Sequence, residues 1–119
     1  MKIAFTTSGD SLDSPLDSRF GRSPRFLIFD SESGEHQLID NTQNLNAAQG
    51  AGIQSAQNVI NAGAKAVISG HTGPKAFNLL NSMNVEVYHA EKMTVNEALS
   101  LYKSGKLTRA ESADVESHW

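Results

Sequence analysis

The sequence predicts an α/β domain built on a mixed five-stranded sheet, and three observations predict it. Short apolar runs rich in strand formers recur at 2–7, 26–30, 36–40, 66–69 and 85–89. Stretches with helical periodicity follow the third, fourth and fifth of these runs. Only the turn Ser31-Glu32-Ser33-Gly34-Glu35 separates the second run from the third, which makes a hairpin. The order is therefore β-β-β-α-β-α-β-α. Crossovers through helices imply parallel strands, and the hairpin implies an antiparallel part.

In chain order, Lys2 to Thr7 (KIAFTT) is expected as a buried first strand rather than a signal peptide, because it turns polar too soon. Ser8 to Arg25 is long, polar and without period, as functional or mobile loops are. Phe26 to Asp30 and His36 to Asp40 pair as the hairpin, and Asn41 to Gln49 is a polar connection. Residues 50–62 carry a helical stripe of Ala48, Ala51, Gly52, Ser55, Ala56, Val59 and Ile60, with Gly63 placed to end the helix in a left-handed conformation. Gly50 and Gly52 each cost a helix interior about 1 kcal/mol relative to Ala, so close packing or a close ligand is expected there. Ala66 to Ser69 is the fourth strand. Pro74 opens a helix to Met83 that buries Phe77, Leu80 and Met83. Val85 to His89 is the fifth strand. Thr94-Val95-Asn96-Glu97 reads as a capping box for a helix burying Val95, Ala98, Leu99 and Tyr102 and ending near Gly105. A single domain over 1–107 and a flexible tail over 108–119 are expected.

Composition narrows the classes of function. The chain has 119 residues, 39% hydrophobic and 19% charged, which suits one soluble domain with a modest core; with no cysteine, a cytoplasmic location fits. No apolar run approaches the ~20 residues that span a bilayer. The net charge of −3 speaks against a dedicated nucleic-acid binder. Absence of cysteine removes disulfides, thiolate zinc sites, all-cysteine iron–sulfur ligation and cysteine nucleophiles.

The candidate chemistry centres on Ser69-Gly70-His71-Thr72-Gly73 before Pro74. Gly70 and Gly73 permit sharp turning and close approach, and a helix that begins there presents free N–H groups and a positive dipole end to an anion. A tight turn without a ligand fits the spacing equally well. Ligands in such sheets gather beyond the carboxyl ends of parallel strands, where Thr7-Ser8-Gly9, Gly70–Gly73 and His89-Ala90-Glu91 would meet. His71 and His89 would then share an edge as metal ligands, or stand as ordinary wet loop histidines. Arg19-Phe20-Gly21-Arg22 offers two guanidinium groups to clamp an anion, or a solvated loop neutralised by Asp13 and Asp17. Catalysis finds little support. No serine sits in a G-x-S-x-G context, the P-loop spacing is missing, and Asp10, Asp13 and Asp17 fall in an irregular loop, with Asp30 a turn-former.

Three separated segments carry a resemblance: LDSRFGRSPRFLIFD, QGAGIQSAQNVINAGAKAVISGHTGPKAFNLLNSMNVEVY and TVNEALSLYKSGKL. Together they resemble the dinitrogenase iron–molybdenum cofactor biosynthesis family over Met1 to Leu107. The resemblance implies a ribonuclease H-like fold and binding of an iron–molybdenum cofactor or iron–sulfur precursor cluster, a large anion. It places Arg19, Phe20, Gly21 and Arg22 on the family's F-G-R segment, Gly50, Ala51 and Gly52 on its G-A-G helix start, and Gly70, Gly73, Pro74 and Ala76 on its G-P loop. His71 and Thr72 fall inside that loop. Gln49 departs from the pattern, since many members carry histidine there. The function so implied is a non-enzymatic carrier of a metal cluster, with cluster-assembly proteins as partners and a role in nitrogen fixation or general iron–sulfur chemistry. The alternative is a regulatory module that binds a small molecule or phosphate on the same anion-receptive loop. A nuclease ranks last, because fold does not give function.

Overall fold

The computed structural model describes residues 1–42 and 50–111, and the elements follow the expected order. They are β1 (Lys2–Thr7), β2 (Arg25–Asp30), β3 (His36–Asp40), α1 (Ala51–Asn61), β4 (Ala64–Ser69), α2 (Pro74–Ser82), β5 (Glu86–His89) and α3 (Val95–Lys103). Ala48 and Gln49, and residues 112–119 of the expected tail, lie outside the described residues. Among the described residues no helix is long and apolar enough to cross a membrane.

The sheet order is β3-β2-β1-β4-β5. β1–β2 and β2–β3 are antiparallel, whereas β1–β4 and β4–β5 are parallel. The sheet is thus mixed, with β1 at the place where its direction rule changes. Both faces of its central strands are covered, which is why FLIF and AVI read as continuous apolar runs rather than alternating ones. On one face Ala4, Phe26, Ile28, Val67 and Val87 pack under α1 and α2 through Ala56, Val59, Phe77 and Leu80. On the other, Ile3, Phe5, Leu27, Phe29, Ala66 and Ile68 pack under α3 through Val95, Ala98 and Leu99.

Several local expectations change. β4 begins at Ala64, two residues early, because Ala64 pairs with Lys2 across a register irregularity. α2 ends at Ser82, and Asn84 turns the chain with φ 60°. Met83 therefore leaves the buried stripe and is 50% exposed. Gly50 is the N-cap of α1 with φ 80°, outside the helix, so it weakens nothing and supplies a left-handed turn instead. Past Leu107 the chain pairs again with β5, Ala110 donating its N–H to Val87 O at 2.7 Å beside an Arg109–Tyr88 bridge. The capping box is formed as expected, with Glu97 N–H on Thr94 Oγ1 at 3.1 Å and Thr94 N–H on Glu97 Oε1 at 2.9 Å.

Candidate anion site at the carboxyl edge

The parallel register sets three strand ends side by side. Phe5 lies opposite Ile68, so Thr7 reaches the level of Gly70, and Ser69 lies opposite His89. The long polar segment between β1 and β2 is fastened across this edge. Thr7 and Ser23 bond through Thr7 N–H to Ser23 Oγ at 3.0 Å, and the hydroxyl of Thr7 donates to Pro15 O at 3.0 Å. Thr6 and Asp17 exchange two bonds of 2.9 Å, from the Thr6 hydroxyl to Asp17 O and from Asp17 N–H to Thr6 O. Leu16 N–H donates to Met93 O, and Val95 N–H donates to Ser14 O, both at 2.9 Å. A stretch without periodicity is thereby ordered by short hydroxyl and carboxylate side chains, which satisfy the backbone where no ladder exists.

The Arg19–Arg22 segment lies directly against the Ser69–Gly73 loop. Gly70 N–H donates to Asp17 O at 3.3 Å, and Phe20 N–H donates to His71 O at 3.0 Å. Arg19 and His71 pair as an isolated parallel bridge. A Cβ on Gly70 would fall 2.6 Å from the Ser18 backbone, so this glycine makes room for the chain itself. Neither Gly70 nor Gly73 takes a left-handed conformation. Phe20 corrects the expectation of a ligand contact. Its ring is fully buried in the core, 5.2 Å from that of Phe26, and it anchors the segment. Gly21 rests on the first turn of α1, where a Cβ would lie 3.2 Å from Gly52 Cα and N. Gly52 in turn faces Ala76 of α2, its notional Cβ 3.4 Å from the Ala76 methyl. Close packing, one of the two expectations for Gly52, is present.

Both helices thus begin at the same place, and both have glycine as N-cap, Gly50 and Gly73. A glycine cap has no side chain to accept from the first-turn amides, and neither first turn holds an acidic residue. Two positive helix ends therefore meet beside Arg19 and Arg22. Among the described residues the Arg19 guanidinium makes no ion pair; Asp17 spends its Oδ1 on the Arg19 backbone N–H at 3.0 Å, not on the guanidinium.

The histidines share the edge, each with a partner. His89 Nε2 is 3.2 Å from Thr72 Oγ1, and Thr72 is fully buried. His71 Nε2 pairs with Glu91. Among the described residues no group of three or more His, Asp or Glu could hold a metal ion. The aspartates do not converge either. Asp30 lies opposite Lys2, at the far end of the sheet, and accepts from Glu32 N–H at 2.9 Å as a turn-former.

The profile of the family described as dinitrogenase iron-molybdenum cofactor matches residues 1–105. The chain belongs to that family. An uncharacterized protein of Methanocaldococcus jannaschii is 35% identical over 114 residues, 93% of this chain and 92% of that one. The apo form of orange protein from Desulfovibrio gigas superposes with a TM-score of 0.93 at 32% identity, covering 96% of both chains. A Thermotoga protein of the DUF35 family, provisionally described as NifB, gives 0.84 at 31% identity over 97% of both chains. The three segments that carry the family resemblance are thus two walls of one edge, formed by Arg19–Arg22, Gly50–Gly52 and Gly70–Gly73, and the α3 start that braces it.

Sequence reasoning missed the residues that hold these walls together. Asn41 is fully buried; its amide donates to Ser23 O and Ser55 Oγ, both at 2.9 Å, and its Oδ1 accepts from Asn58 at 2.7 Å. The Ser55 hydroxyl donates to Gly21 O at 3.3 Å. The only sequence signal was Ser55 on an otherwise apolar stripe. Glu91 was also missed as the partner of His71, although it sits in the loop already singled out after β5.

Proposed function

We propose that the protein is a non-enzymatic carrier of an iron–molybdenum or iron–sulfur cluster, or of its precursor, taken up as cargo at this edge. The observation that carries the reading is the meeting of two glycine-capped helix starts beside Arg19 and Arg22. Such a rim suits a bulky anion held by charge-assisted hydrogen bonds around its periphery. The donors fit a cluster of that kind. The imidazoles of His71 and His89 are suitable nitrogen ligands, and Arg19, Arg22 and first-turn amides would hold its charge. His71 binds by exchanging Glu91 for the cargo, and His89 by giving up Thr72. Family membership supports the cluster over other anions. A ribonuclease H-like assignment, a domain spanning 1–107, a cytoplasmic location and cluster-assembly partners go with this reading.

The test is anaerobic titration with an iron–molybdenum or iron–sulfur precursor cluster, followed by absorbance. Wild type takes up cluster in a saturable way, and His71→Ala weakens uptake at least tenfold. Protein that stays colourless at every cluster concentration contradicts the reading.

The second reading is a regulatory module that binds a phosphate or small anionic molecule on the same rim without metal. It is favoured by one observation: both imidazoles already have protein partners. Stabilisation by phosphate or nucleotides in a thermal-shift series, with no uptake of cluster, supports it over the first.

A further inference from the structure

The two edges of the sheet are treated differently. β5 is covered by 109–110, through Ala110 N–H on Val87 O and the Arg109–Tyr88 bridge. β3 is the other edge, and among the described residues no strand lies beyond it. Such an edge is normally blunted by lysine, proline or a bulge. β3 reads HQLID, has no lysine or proline, and pairs with β2 in unbroken register.

The alternation of bonds says which groups face outward. Asp30 N–H donates to Glu35 O and Asn41 N–H to Pro24 O, both at 2.9 Å. In an antiparallel pair every second residue is bonded inward, so Gln37 and Ile39 point their backbone at β2. His36, Leu38 and Asp40 then turn their N–H and C=O groups to the open edge. Their side chains share one face, and Leu38 is 40% exposed. Thr42, through its N–H and then its hydroxyl, holds the Asp40 carboxyl below its ordinary range, so it stays charged.

We propose that β3 pairs antiparallel with β3 of a second copy, about a two-fold axis at Leu38, joining two sheets into one. In this register all three outward residues find outward partners. Leu38 meets Leu38 of the partner subunit, and His36 meets Asp40 of the partner subunit on either side of the axis. Shifting the pairing by two residues along either strand leaves an outward group without a partner within β3 and moves His36 away from Asp40. The strand is therefore self-complementary in backbone hydrogen bonding, in apolar contact and in the pairing of an imidazole N–H donor with a carboxylate acceptor, as an isologous contact requires. The occupant this edge fits is a second copy of this chain.

The test is sedimentation equilibrium of the full chain over a concentration series at low salt, with amide exchange on the same samples. A monomer–dimer equilibrium is expected, and the His36, Leu38 and Asp40 amides exchange more slowly as concentration rises. His36→Asp sets like charges opposite one another and raises the dissociation constant roughly tenfold. Adding Asp40→His to that variant restores pairing toward wild type. Leu38→Lys abolishes the dimer while its melting temperature in dilute solution stays near wild type. A single monomer mass up to about 1 mM overturns the proposal, as does a dimer that survives Leu38→Lys, or edge amides whose exchange ignores concentration.

Discussion

At Gly70 a hydrogen stands where any other residue would drive a methyl group into the Ser18 backbone. The contact is backbone against backbone, so no rotamer relieves it. Gly70→Ala forces the Arg19–Arg22 segment away from His71 and should cost about 3 kcal/mol of stability, read as a lowered urea midpoint. Its glycine is legible in the sequence, but the reason is not, because Ser18 is distant in the chain. Tyr88 makes a different single-residue case. Burial, its hydrogen bond to Glu86 at 2.8 Å and the charge of Glu86 push its hydroxyl up to about 12 from an ordinary 10.0. The fold therefore favours the protonated phenol. That contribution is complete below pH 10.0 and is lost as pH rises toward about 12. Denaturation of wild type should become easier across this window, and Tyr88→Phe should flatten the slope. Tyr102, raised first by burial and then by Glu86, leaves a smaller residual slope in that variant.

Elements were legible where local chemistry decided them. The Thr94–Glu97 capping box needs only residues within one turn, and both reciprocal bonds are present. Thr94→Ala should cost about 1 kcal/mol, measured as a shift in urea midpoint with an unchanged slope. The hairpin turn and the bounds of β1 and β3 were legible to the residue, since side-chain period and turn chemistry agree there, and β2 begins one residue early at Arg25. Boundaries failed where a tertiary partner overrides the local pattern. Ala64 and Lys65 join β4 because β1 supplies a ladder, and Met83 leaves α2 because the chain must turn into β5. Gly50 looked like a helix defect and is a left-handed cap. A glycine at a helix start has the same letter in either role, and only φ separates them.

At the scale of the whole molecule, sheet topology turns three distant sequence segments into one site. Parallel strands β1, β4 and β5 release their loops on the same side, which the crossover pattern predicted. The sequence did not disclose how that side is braced. Asn41, Ser23 and Ser55 are small polar residues of ordinary types; Asn41 reaches Ser23 and Ser55 across 18 and 14 positions, and Ser55 reaches Gly21 across 34. Phe20, next to two arginines, looked like part of a ligand clamp and is a core anchor for them. The proposed cargo, a bulky anion, would sit between the two helix starts. Paramagnetic broadening of amide resonances during anaerobic addition of an iron–molybdenum cluster tests it most directly, because broadening falls off steeply with distance. The account predicts that signals of residues 19–22, 50–52, 70–73 and 89 vanish first, while those of the 31–35 hairpin turn persist. Early loss at the hairpin or along the outer face of α3, with the helix starts untouched, would contradict it.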